Sequence, residues 1–262
     1  MTSLYEFLSL GRWGLSFSSW GVFCLAVFIV GFAKTGLPGI TILAVPLVAM
    51  VFPPKISVGL MLPIYMLADV LSVWNYRRFA KSRYCLPYLL FVGLGVWSAS
   101  FVAGAVDDRT FGVIIGWTVA VLVTLSAGTD FLQKRKKNLE PVEAPPLVMS
   151  AFFGMTAGLV SALANAAGPI MALYMILARL DKFSILGTTA VCSFFMNWFK
   201  VPLFLTLDML SVETLKLDIA TIPIIVLGGL AGIVFAKKLP QEAFKKLILV
   251  LALASSIKLI LS

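Results

Sequence analysis

Ten apolar runs follow one another along the chain with only short gaps: 18–33, 40–52, 57–76, 84–106, 111–129, 147–164, 169–178, 183–206, 215–236 and 243–261. A helix that crosses a bilayer uses roughly 20 mostly apolar residues, so 262 residues arranged in this way leave no length for a water-facing domain. Apolar residues make up 60% of the chain and charged residues 13%, with a mean hydropathy of +1.01. Soluble domains carry about 45–50% and about 25%. Lipid is therefore the solvent for most of the surface. Because a backbone in lipid must satisfy its own hydrogen bonds, the expected fold is an all-α polytopic membrane protein.

Four of the runs are too short or too interrupted to read as ordinary spans, and they form two pairs, 18–33 with 40–52 and 147–164 with 169–178. The first pair is split by Lys34-Thr35-Gly36-Leu37-Pro38-Gly39, the second by Ala164-Asn165-Ala166-Ala167-Gly168-Pro169. The spacing repeats. Gly39 to Gly168 is 129 positions and Gly59 to Gly187 is 128, which sets Asp69 opposite Asn197 and Ser72 opposite Lys200. The chain therefore reads as two homologous halves, 1–132 and 147–262, joined by a polar linker over 133–146. Each half is a broken or re-entrant helix pair followed by three transmembrane helices.

The net charge is +9, but the basic residues lie in short clusters between apolar runs, which argues against nucleic acid as a partner. Fourteen of the 21 fall in Arg77–Arg83, Lys134–Lys137, Arg179 with Lys182, and Lys237–Lys246. Placing these clusters in the cytoplasm puts Asp107, Asp108, Asp208 and Glu213 outside. It also makes the two broken pairs enter from opposite faces, so the halves are expected to be inverted. The N-terminus lacks the cationic start and cleavage site of a signal peptide, and Trp13 and Trp20 fit an interfacial segment.

Irregular backbone at membrane depth is tolerated where it lines a watery cavity or is covered by protein. Half-helices starting near Gly39 and Gly168 would aim free N–H groups at such a cavity, the makings of an anion site. Thr35, Thr41 and Asn165 would add polar contacts, and Gly36 lies within the first break. The plain alternative is that these small residues only allow tight packing. Ionisable residues inside spans are the sharper signal, because each is costly unless paired or hydrated. Lys34 and Lys200 are candidates for attracting an anion. The chain has no His, which leaves Asp69 as the proton-coupling candidate. The alternatives are a structural Asp69–lysine pair and a Lys34 that snorkels to the interface. Thr188, Thr189, Ser193, Asn197, Ser72 and Asn75 are further polar positions. Trp74, Trp198, Tyr65 and Tyr174 would wall a cavity or merely pack. Cys24, Cys85 and Cys192 have no paired spacing, so neither a disulfide framework nor a metal site is expected, and no cofactor is implied.

The stretches Gly31-Phe-Ala-Lys-Thr-Gly-Leu-Pro-Gly-Ile-Thr-Ile-Leu-Ala-Val-Pro46 and Gly154-Met-Thr-Ala-Gly-Leu-Val-Ser-Ala-Leu-Ala-Asn-Ala-Ala-Gly-Pro169 resemble the TauE/SafE family of sulfite and sulfonate exporters, also called the toluene sulfonate uptake permease family. Gly187-Thr188 followed by Asn197 and Lys200 is similar to its second-half pattern. The resemblance implies a multi-pass permease of the bacterial inner membrane that exports small sulfur-containing anions coupled to the proton gradient. Its partners are then a small anion, protons and the lipid bilayer, with the oligomeric state open and a homodimer among the options. The family positions fall on Gly36, Gly39, Pro46, Asn165, Gly168 and Pro169. An enzyme is not expected, since intramembrane hydrolysis needs Ser with His or two Asp within spans. A non-transporting scaffold or assembly factor fits the composition equally well, but it has no use for the breaks or for Lys200.

Overall fold

The computed structural model describes residues 16–36, 40–136 and 145–238, together with 257 and 260–261. In chain order the elements are α1 (Phe17–Gly36), a 3-10 turn (Ile40–Leu43), α2 (Ala44–Ala49), α3 (Pro54–Tyr76) with a 3-10 turn at Arg77–Phe79, α4 (Ser82–Ala105) and α5 (Asp108–Lys136). The second half brings α6 (Leu147–Ala164), α7 (Gly168–Leu177), α8 (Lys182–Thr206) and α9 (Val212–Lys238). No strand occurs among the described residues. Among the described residues six helices are long and apolar enough to cross a membrane: α1, α3, α4, α5, α6 and α9. Helix α8 is as long, with 25 residues, but Thr188, Thr189, Ser193, Asn197 and Lys200 make it more polar. The chain is an all-α, multi-pass membrane protein.

Two expectations need correction. The runs 18–33 and 147–164 form helices of 20 and 18 residues, so the leading member of each broken pair is long and apolar enough to cross by itself and only its successor is short. The first successor is a 3-10 turn and a six-residue helix, not one α-helix beginning at Gly39. Gly39 itself lies outside the described residues, as does nearly all of the run 243–261. Helix α5 continues to Lys136, into the stretch read as linker.

The second break has a clear local cause. Asn165 adopts φ 50° and ψ 28°, the left-handed conformation that Asn tolerates better than most residues. It ends α6, and α7 restarts three residues later with Pro169 in its first turn, where proline gives up no hydrogen bond.

Glycines set how the two halves meet. On α9, a Cβ at Gly228 or Gly232 would run into the carbonyl oxygens of Phe28 or Phe32 on α1; on α6, one at Gly154 or Gly158 would meet those of Tyr88 or Val92 on α4. The third helix after each break thus packs backbone to backbone on the helix that leads into the other break, in both directions of the exchange. Helices α3 and α8 run antiparallel: Gly59 faces Met209 beyond the end of α8, and Gly187 faces Tyr76 at the end of α3. Cys85 on α4 and Cys192 on α8 are joined sulfur to sulfur, with Cα atoms 5.9 Å apart, a link between the halves that their sequence spacing did not announce. Cys24 is free.

Helix α8 starts on a built cap. The Asp181 carboxylate accepts from the backbone N–H of Phe183 and Ser184 at 3.0 and 3.1 Å, groups that would otherwise be unsatisfied. Partial burial pushes its pKa up, but the hydrogen bonds from Ser184 and Phe183 outweigh that and hold it below the usual carboxylate range. The capping contribution is therefore present at neutral pH and is lost as pH falls through that lowered value.

In thermal unfolding of the purified protein, Gly158→Leu is expected to cost about 2 kcal/mol or more through overpacking against Val92; an unchanged unfolding temperature would show that α4 and α6 do not meet this closely. Asp181→Ala should cost about 1 kcal/mol at neutral pH, and the difference from wild type should shrink on strong acidification, which equal deficits at both pH values would contradict.

Candidate functional site

The ends of α1 and α6 converge on the crossing of α3 and α8, and the side chains that meet there are charged. Lys34, in the last turn of α1, donates from Nζ to Asp69 Oδ1 on α3 at 2.6 Å. Asn197 on α8 donates from Nδ2 to the other carboxylate oxygen at 2.5 Å. Asp69 is fully buried, so both of its oxygens are held by donors, the condition under which a buried charge is tolerated. Asp69 and Asn197 are 128 positions apart, the spacing that recurs in the sequence, and they touch each other.

Lys200, one turn beyond Asn197, is 1% exposed. Its ammonium bonds Asn165 Oδ1 and the Ser161 carbonyl at 3.5 Å, and it sits 5.7 Å from the centre of the Phe204 ring. These partners are neutral; the ion pair at this crossing is Lys34 with Asp69. Asn165 is fixed in turn by donating from Nδ2 to the Val58 carbonyl of α3 at 2.8 Å. The left-handed turn at Asn165 is what carries its side chain between α3 and Lys200.

These groups border a cleft of about 540 Å³ counted to its open mouth. Of the residues expected from sequence, Lys34, Thr41, Asn165, Gly168, Asn197 and Lys200 line it, and Asp69 lies just behind Lys34 and Asn197. Three others are used differently. Thr35 donates to the carbonyls of Gly31 and Gly229, and Gly36 abuts Gly232, so both pack α1 onto α9. Thr188 accepts from the Lys81 backbone N–H at 3.1 Å, toward α4. A step of one residue turns a helix by about 100°, and it is Thr189 that faces the cleft. The Thr189 hydroxyl is buried with no hydrogen-bond partner, an unusual state for a native polar group. Ser161 also lines the cleft, and no motif pointed to it.

Tyr65 walls the cleft, donates to the Thr41 carbonyl at 3.1 Å, and places its ring 5.3 Å from Lys34 Nζ. Lys34 therefore turns inward and does not snorkel. Tyr174 instead stacks on Tyr88 and pairs with Ser150, while Trp74 and Trp198 are 74% and 52% exposed and face away from the cleft. The sequence reading also passed over Asp218 on α9, which is buried with neither carboxylate oxygen hydrogen-bonded. No group of three or more metal-ligating side chains occurs among the described residues.

A bundle of helices long enough to cross a membrane, around a cleft with two interior lysines and one carboxylate, defines a polytopic membrane protein with charged groups at membrane depth. Residues 23–259 match the family described as sulfite exporter TauE/SafE, and the chain belongs to that family. No curated protein matches the chain, and no solved structure does.

Breaking the Lys200–Asn165 contact tests the construction of the site. Asn165→Leu should cost about 3 kcal/mol, because it strands a buried ammonium, and much of that loss should be recovered in the double variant with Lys200→Met. Equal costs with and without Lys200 in thermal unfolding would mean that the two side chains are not coupled.

Proposed function

We propose that this protein moves small sulfur-containing anions, of the sulfite or organosulfonate kind, across the membrane through the cleft, and that it does so as an exporter. Membership of the sulfite exporter family supports the direction and the sulfur chemistry. The single observation that carries the anion site is Lys200: an ammonium buried beside a cleft, with neutral partners. A standing positive charge in a membrane interior is costly, and an anion offsets it. The unpartnered Thr189 hydroxyl supplies a donor for an oxyanion, and Ser193 and the start of α7 at Gly168 border the same space. Proton coupling is assigned to Asp69, whose charge is balanced within the same network.

Alternating access follows from the two halves, read as inverted repeats. The antiparallel course of α3 and α8, the exchanged pairing of α1 with α9 and of α6 with α4, and the contact of Asp69 with Asn197 support that reading. No covalent chemistry on the anion is involved in it. A scaffold role finds no use for a buried lysine at a cleft.

In proteoliposomes loaded with sulfite, taurine, isethionate, sulfoacetate or carboxylate analogues, we expect efflux of a sulfur anion above protein-free vesicles. Lys200→Met should reduce it at least about tenfold, the effect of about 1.4 kcal/mol or more of lost anion stabilisation. Thr189→Val should weaken affinity by a smaller factor. Unchanged transport by Lys200→Met would remove the anion role from this residue.

A further inference from the structure

We propose that Lys34 is shared between Asp69 and the transported anion, so that a proton and the anion load together from the same side of the membrane. This rests on the anion-site reading above. Lys34 lines the same cleft as Lys200, yet its ammonium is 2.6 Å from Asp69 Oδ1. With Asp69 ionised, one of the two cations facing the cleft is already neutralised, and an arriving anion competes with a carboxylate for it. Lys34 and Asp69 then offset each other, and Lys200 is the amine left to the anion.

A proton on Asp69 changes both the charge and the hydrogen-bond pattern. A protonated carboxyl presents a donor, and an ammonium is donor only. With Asn197 still donating to Oδ2 at 2.5 Å, the proton falls on Oδ1, and the ion pair with the Lys34 ammonium gives way to a much weaker contact with a neutral hydroxyl oxygen. That contact no longer holds Lys34. The lysine swings toward the cleft along the face of Tyr65, whose ring already lies 5.3 Å from Nζ, and the cleft gains a second unspent cation. The charged and titratable groups that face Asp69 are Lys34 from α1, Lys200 from α8 and Tyr65 one turn earlier on its own helix. The part of α9 packed here is the Gly228–Gly229 stretch, with Gly229 against Leu71, and it brings no charge; Asp218 lies about three turns away along α9.

Linkage makes the effect reciprocal: if protonation raises anion affinity, anion binding raises proton affinity by the same factor. Outward movement is then driven by accumulation of the anion inside, and the proton gradient limits how far it runs.

The test is anion affinity against pH, measured by calorimetry on the full-length protein in nanodiscs with isethionate and with methanesulfonate. Both probes keep one negative charge across the range, so any pH dependence belongs to the protein. Affinity should rise as the pH is lowered, by up to about tenfold per pH unit, the limit for one linked proton, with close to one proton taken up per anion bound. Asp69→Asn, which keeps an acceptor for Asn197, should bind at every pH about as the wild type does at acid pH, with no proton uptake. Lys34→Gln should bind weakly and lose the pH dependence. Anion binding by the wild type that is independent of pH, or that releases protons, overturns the shared-lysine proposal while leaving the anion site standing. Proton uptake is read on the wild type alone, so the test survives a variant that fails to fold. Absence of binding by either sulfonate at any pH overturns the anion-site reading and this proposal with it.

Discussion

The carboxylate of Asp69 is the interaction on which the rest of the site depends. It is fully buried in the crossing of α3 and α8, where an unpaired charge would cost several kcal/mol. Lys34 and Asn197 meet that cost from opposite halves of the chain. Holding Lys34 there fixes the end of α1, and Ser72 and Tyr76 reinforce it by donating to the carbonyls of Lys34 and Thr35 at 2.9 and 2.7 Å. Three helices are thus tied at one point, and the cleft opens directly beside it.

Close packing makes this placement possible. Where glycines let α9 lie on α1 and α6 lie on α4, dispersion contacts between backbones replace the hydrophobic effect, which drives nothing between helices already in lipid. The outcome is two rigid contacts between halves and one polar crossing between α3 and α8. The alternating access proposed above would shift these packed units past one another. Its charged groups sit at the junction of those units.

Much of this was legible in the sequence, for stated physical reasons. The offset of 128 placed Asp69 opposite Asn197, and the two do touch; both lysines named from their intramembrane positions line the cleft. The small-residue breaks proved to be two kinds of feature. Asn165 and Gly168 serve the cleft, whereas Thr35 and Gly36 serve packing, because they fall on the face of α1 that meets α9. Composition carries no information about which face of a helix a residue takes, so the sequence named Thr188 and Thr189 together and the fold alone turns Thr189 toward the cleft. Ser161 was invisible because a serine amid alanines has no pattern. The Cys85–Cys192 junction joins residues 107 apart, and only the tertiary fold brings them together.

The central claim is that an oxyanion sits in the cleft between Lys34 and Lys200. Its most direct test is an experimental structure with selenite, a sulfite analogue whose selenium scatters anomalously. An anomalous peak is expected within hydrogen-bond distance, about 3 Å, of Lys200 Nζ and Thr189 Oγ1. A peak elsewhere in the bundle, with the cleft free of anion, would contradict it.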